Sequence, residues 1–295
     1  MISEDVYRKV HPKEYLKRFI DKDVRPDGRA VSTARYLRLT IGSINTAVGS
    51  ALVRLGNTTV LAGVNATLIR PNNANPDKGI VEVSVELLPT ASGESRNVRG
   101  EEAVVLAEFL RTLIIPHIDV STLCVEADKL VWCLSLTVYC IDHDGNLEDS
   151  VVLAAVAALR NVRLPTVRMV DGDEGGDIEN GIENTRMIDA DNEAEEGNES
   201  IMAVVSSKRT ESLELDNFPL TVSFQLFCEK ALIDPSAEEE VVCVSRVTFI
   251  MKPTGDMRGI LKEGGHILSP KLYNSCLAQS KERVKEYMKK LQAGS

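Results

Sequence analysis

From Asp149 to Val162 the chain reads DSVVLAAVAALRNV, and the run VVLAAVAALRNV presents apolar side chains on every side of a helix. A helix without a polar face is unstable at a surface, so this one has to be central and buried. The remaining elements must therefore pack around it in layers.

The flanking sequence supplies candidates for those layers. VEVSVEL sets Val81, Val83, Val85 and Leu87 against Glu82, Ser84 and Glu86, the period of a half-buried strand. SALVRL and TTVLAGVNATLI flank Gly56-Asn57, a dipeptide suited to the positive backbone angles of a tight hairpin, which predicts an antiparallel pair. From Glu101 the period becomes helical, with Ala103, Leu106, Ala107, Leu110, Leu113 and Ile114 on one face, and ends before Pro116. LCVEA and KLVWCLSLTVYCID predict a further strand pair ahead of the central helix. Later, PLTVSFQLFC, ALID, EVVCVSRVTFIM and MRGILKEGG read as a second antiparallel sheet. Ser269-Pro270 suits a helix start, and Tyr273, Leu277, Val284, Met288 and Leu291 form its apolar stripe. The expected class is α+β, two β-rich lobes packed with helices, without the short repeats of a solenoid or propeller.

The formal charge of −10 is carried by one segment. Residues 171–200 hold twelve acids against a single base, Arg186, which leaves the rest of the chain almost neutral. With no apolar periodicity this stretch cannot bury enough surface to offset its ordering entropy, so it reads as a loose surface loop between the lobes. A near-neutral body should bind RNA poorly alone, although it can line an RNA path if neighbours supply charge. Six cysteines without a C-x-x-C pair argue against a disulfide framework or structural zinc. The charged start MISEDVYRKVHPKEYLKRF is unlike a signal peptide, and no apolar run approaches the length of a membrane span, so an intracellular protein without membrane contact is expected.

RPDGR, from Arg25 to Arg29, is a turn with an arginine at each end, followed by IGSINTAVGSALVRLGNTTVLAGV. With PDKG (Pro76 to Gly79), KLVW (Lys129 to Trp132), AALRNVRLP (Ala157 to Pro165) and LIDPSAEEE (Leu232 to Glu240), this order of motifs resembles the RNase PH family over nearly the whole chain except the acidic loop. The resemblance implies an RNase PH-like fold of two lobes of the ribosomal protein S5 domain 2-like type. It implies an N-terminal arm over 1–30, a first domain over 31–168, the acidic loop over 169–200, and a second domain with a terminal helix over 201–295.

Active members of that family shorten RNA from its 3′ end by phosphate attack, which requires cations and helix N–H donors for phosphate, and carboxylates acting with a metal or as acid and base. Here the matching positions depart from the pattern. The D-G-G-T-R of active relatives corresponds to Asp144, Gly145, Asn146, Leu147 and Glu148, so an acid replaces the arginine. Adjacent arginines at the start of the amphipathic helix correspond to Glu101 and Glu102, and two late aspartates fall on Val244 and Arg246. The resemblance therefore implies a non-catalytic subunit, without cofactor or metal, in a six-membered exosome ring. Its implied partners are other RNase PH-like subunits, RNA-binding cap subunits, RNA in the central channel and a separate catalytic nuclease; the implied places are nucleus, nucleolus and cytoplasm. The alternatives are an active phosphorolytic exoribonuclease and a scaffold outside the exosome.

Candidate RNA contacts are Arg96 and Arg99, in a glycine-containing loop before the helix, with Lys78 and Arg70 in support. Arg25 and Arg29 are expected to fix the N-terminal arm or a subunit contact. Asp234, Glu238, Glu239 and Glu240 read as a solvated turn, His11, His117, His143 and His266 carry no ligand spacing, and Lys262, Gly264 and Gly265 lack the context of a P-loop.

Overall fold

The computed structural model describes residues 4–72, 74–88, 96–169, 203–213, 215 and 217–293. Two short helices, α1 (Glu4–Val10) and α2 (Pro12–Ile20), form an N-terminal arm. The first lobe follows with β1 (Leu37–Ile41), β2 (Gly49–Leu55), β3 (Thr58–Ile69), β4 (Ile80–Leu87), α3 (Arg96–Ile114), β5 (Cys124–Glu126), β6 (Leu130–Asp142) and α4 (Leu147–Arg160). An antiparallel ribbon of β7 (Arg163–Met169) and β8 (Ala203–Ser212) leads to the second lobe. That lobe consists of β9 (Leu220–Phe227), β10 (Lys230–Ile233), α5 (Ala237–Val242), β11 (Ser245–Met251), β12 (Met257–Glu263) and α6 (Pro270–Ala293).

The first sheet runs β1-β2-β3-β6-β4, with β5 beside β6. β2 and β3 form the hairpin expected at Gly56-Asn57, and Gly56 has the positive φ that turn needs. β4 pairs with β6 in parallel, the one parallel pairing among the described strands, because α3 separates the two in sequence and carries the chain back. The second sheet, β10-β9-β11-β12, is wholly antiparallel.

α4 lies where its sequence requires. It packs on β2, β3 and β6 on one side and on β9 on the other, and every residue from Asp149 to Leu159 is buried. Each fully buried valine or leucine contributes about 1.5–3 kcal/mol. The helix approaches β2 so closely that a Cβ on Gly49 would meet the Ala158 carbonyl oxygen at 2.5 Å. β9 is in turn buried at every residue, since α4 covers one face and α6 the other. Toward α6, Phe224 meets Phe249 edge to face and Phe249 meets Tyr273.

Several expectations are corrected. The helix expected from Glu101 begins at Arg96, so Arg96 and Arg99 belong to α3 and not to a loop before it. Gly100 weakens a helix by only about 1 kcal/mol, and burial of Leu106, Leu110 and Ile114 outweighs that. The strand expected from Glu240 begins at Ser245, because Ser236 and Glu239 form a capping box that starts α5 in front of it. Asp234 and Glu239 are buried, which removes the solvated turn. The β7–β8 ribbon was not expected. It carries the chain to Met169 and receives it at Ala203, and the acidic stretch expected as a loose loop lies outside the described residues.

The arm is fastened by Arg25, which is fully buried at 0% exposure. Its Nε donates to Glu239 Oε1 at 2.8 Å, its Nη1 to the Ile233 carbonyl at 2.7 Å, and its Nη2 to the Asp234 carbonyl at 3.1 Å and to Glu239 Oε2. Leu16 and Ile20 of α2 add an apolar cluster with Phe227, Leu232, Val242 and Cys243. RPDGR is thus the clasp between the arm and the second lobe.

Candidate functional site

The candidate site is the N-terminal mouth of α4, where the two lobes meet. The chain enters the helix through Gly145 and Asn146, both at positive φ. Gly145 is obligatory for a second reason: a Cβ there would lie 2.5 Å from the Ala237 nitrogen and from the Ser236 carbonyl carbon. The loops of the two lobes abut backbone to backbone.

Asp234, at the end of β10, organises the seam. It accepts from Arg35 Nη2 at 2.7 Å, Arg35 Nε at 3.0 Å, the Arg35 backbone N–H at 2.7 Å and Asn146 Nδ2 at 2.8 Å. Burial alone would raise its carboxyl pKa, but the hydrogen bonds and charge of Arg35 hold it below the usual range. Arg35 also donates to the Asp144 carbonyl at 2.6 Å and the Gly145 carbonyl at 3.1 Å, which locks the turn before α4.

The anion seat of the helix is filled by the protein itself. The backbone N–H of Asn146 donates at 2.9 Å to the Glu240 carboxylate. The positive end of a helix is where an external phosphate would be drawn. Glu148, in the first turn, pairs with Arg246 of β11 at 2.6 Å, and Arg246 also reaches Glu263 at 3.0 Å. Burial pushes the carboxyls of Glu148 and Glu240 up to about 7, with the neighbouring acids adding to burial and Arg246 opposing it. Deeper in, Asp149 accepts from the Ser223 N–H at 2.8 Å and the Ser223 hydroxyl at 2.9 Å, joining α4 to β9.

Of the residues singled out in the sequence, the fold brings Asn146, Glu148 and Arg246 together, with Leu147 buried behind them. Glu102, exposed on α3, stands near enough for its charge to raise Glu240 further. Glu101 is exposed beside it in sequence, and Val244 projects into solvent at 77% exposure just before β11. Arg70 is half-buried just beyond β3, and Lys78 is exposed in the turn before β4. Arg96 and Arg99 sit at the start of α3, and their side chains lie outside the described residues. Sequence reasoning missed Arg35 and the role of Glu240. Arg35 has no local signal, whereas Glu240 directly follows the S-x-x-E capping sequence of Ser236 to Glu239 that marks a helix start.

This set does not fit a divalent metal. Arg246 places a cation where an oxygen donor would be needed, and among the described residues no three His, Cys, Asp or Glu side chains group to hold an ion.

Residues 33–165 match domain 1 of the 3′ exoribonuclease (RNase PH) family and residues 217–283 match domain 2. The chain belongs to this family and has its RNase PH-like fold. It is 27% identical over 284 residues to the exosome complex component rrp43 of Schizosaccharomyces pombe, covering 95% of each chain. It is 30% identical over 283 residues to the exosome complex component Rrp42 of Aeropyrum pernix, covering 95% of this chain and 93% of that one. Among solved structures, a chain of the Archaeoglobus fulgidus exosome with RNA bound to the active site superposes with a TM-score of 0.71 at 26% identity, over 94% of this chain and 96% of the other.

Proposed function

We propose that this chain is a non-catalytic ring component of an RNA exosome, acting in 3′ to 5′ processing and decay of RNA, ribosomal RNA included. The carrying observation is the Glu240 carboxylate on the Asn146 N–H, with Glu148 beside it. An incoming phosphate would have to displace one carboxylate and approach a second, inside a seam where charge is poorly screened. The named relatives, exosome components from S. pombe and archaea, support the ring assignment.

In this reading the subunit takes its place in a six-membered ring of RNase PH-like chains, beside RNA-binding caps, and helps thread RNA through the channel to a separate nuclease in nucleus and cytoplasm. Arg96 and Arg99, supported by Lys78 and Arg70, contact phosphates of the passing RNA without reading its sequence. Affinity purification of the tagged chain should recover the other ring chains in near-equal amounts, and recovery of none refutes the ring assignment. Incubation of the purified chain with labelled RNA and phosphate should release no nucleoside diphosphate; release above that of a protein-free control refutes the loss of catalysis.

A further inference from the structure

A second polar cleft, of about 670 Å³, opens on the other side of the lobe seam between Pro116–Asp119, Asn217 and the β11–β12 hairpin. Its walls are tied by backbone hydrogen bonds. Ile118 is buried and bridges to Leu215 in antiparallel fashion, and the hairpin turn is closed by Lys252 N–H to Asp256 O at 2.8 Å and Gly255 N–H to Lys252 O at 2.9 Å.

Among the described side chains lining this cleft, the donors outnumber the carboxylates. Arg258 comes from β12, Lys252 from the hairpin turn, His117 from the first lobe and Asn217 from the stretch before β9. Among the described residues the one carboxylate lining it is Asp119, whose Oδ1 already accepts from the Ser121 N–H at 3.0 Å. Asp256, on the adjoining turn, accepts from the Thr254 hydroxyl at 2.8 Å. Arg258 Nη1 lies 3.3 Å from His117 Nδ1, a contact that holds the imidazole neutral with its lone pair toward the guanidinium. Burial, and then the charge of Arg258, lower the His117 pKa accordingly.

We infer that this cleft binds a phosphate group, with Arg258 and Lys252 as its charged donors and His117 and Asn217 completing the set. Both lobes supply donors to one cleft, and the charged pair Arg258 and Lys252 can make the charge-assisted hydrogen bonds that a phosphate accepts. The cleft is much larger than one phosphate, so the group can belong to free phosphate or to the backbone of a single-stranded RNA. The inference does not rest on the proposed ring function, because it uses none of the residues at the α4 mouth.

The test follows the histidine ring signals of the isotope-labelled full chain, which has 4 histidines, with His117 identified by its loss in His117→Gln. One arm titrates inorganic phosphate at constant ionic strength, a second titrates oligouridylate, and acetate serves as control. A saturable shift of His117, with a rise in its pKa as the anion offsets the neighbouring cations, is the expected result. Arg258→Gln or Lys252→Gln should each weaken binding roughly tenfold, the loss of one charge-assisted hydrogen bond. Response to phosphate alone assigns a free-phosphate site, and response to oligouridylate alone assigns an RNA-backbone site. A silent His117 in both arms, an equal response to acetate, or unchanged affinity in the Arg258→Gln/Lys252→Gln double variant overturns the inference. Movement of His143 in place of His117 sends the phosphate to the α4 mouth, which overturns this inference and separately contradicts the proposed loss of phosphate binding there.

Discussion

Substitution of Arg25 by methionine should be among the most damaging single changes in the protein. The side chain is wholly buried, and its removal leaves the Glu239 carboxylate, 2% exposed, with the Ser236 N–H at 2.9 Å as its one hydrogen-bond donor among the described residues. The Ile233 carbonyl loses its guanidinium donor at the same time, while the Asp234 carbonyl keeps Arg29 Nη1 at 3.2 Å. Removing one member of a buried, hydrogen-bonded ion pair destabilises by about 3–5 kcal/mol, since the other charge remains desolvated. The double variant Arg25→Met/Glu239→Leu should lose less than Arg25→Met alone, because no buried charge is then stranded. Urea denaturation of the full chain gives the free energies, and hydrogen exchange across Leu16–Ile20 reports whether the arm has come loose. A loss below about 1 kcal/mol for Arg25→Met, or a double variant worse than the single, would show that the clasp is not electrostatic.

Leu153→Ala, in the middle of α4, should destabilise by about 2–5 kcal/mol by urea denaturation, and a smaller loss would mean the layers around the helix collapse to fill the space. Gly49→Ala should destabilise by about 1–3 kcal/mol, since its Cβ would press on the Ala158 carbonyl; a neutral result would show that β2 can move away from α4. Glu240→Gln should alter the pH dependence of stability. The folded carboxyl is raised to about 7 from the ordinary 4.5, so its contribution is fully present below the lower value and is lost as pH rises through the higher. The variant should therefore gain on the wild type in urea midpoint between acidic and mildly alkaline buffer, and parallel pH profiles would refute the assignment.

The central features of the fold were legible because they rest on local pattern. α4 is apolar on all faces, and only a position between two sheets satisfies such a helix. The β2–β3 hairpin follows from Gly56-Asn57, and the start of α6 from Ser269, whose hydroxyl accepts the Leu272 N–H at 3.3 Å. What was not legible depends on partners far away in the chain. Glu239 reads as one acid in an exposed run, and its burial is decided by Arg25, 214 residues earlier. Arg35 carries no local sign that it will bind Asp234, 199 residues later. β7 was hidden because Pro165 and two register shifts break its alternation. At the site, Glu148 and Arg246 could each be singled out in the sequence, but not that the two would face each other.

That facing pair explains how the mouth of α4 remains folded without a phosphate. A helix N-terminus wants a negative charge, and a lone acid in a seam wants a cation. Glu240 meets the first demand through the Asn146 N–H, and Arg246 meets the second by binding Glu148. Asp234, shared by Arg35 and Asn146, ties the same turn to both lobes. The groups proposed to exclude an external anion are therefore also the groups that join the lobes, so the two effects cannot be separated by one substitution. Changing Glu148 alone leaves Glu240 in the anion seat, and changing Glu240 alone leaves Glu148 to repel phosphate. In the proposed reading, the same charges that join the lobes at this seam would also keep phosphate out.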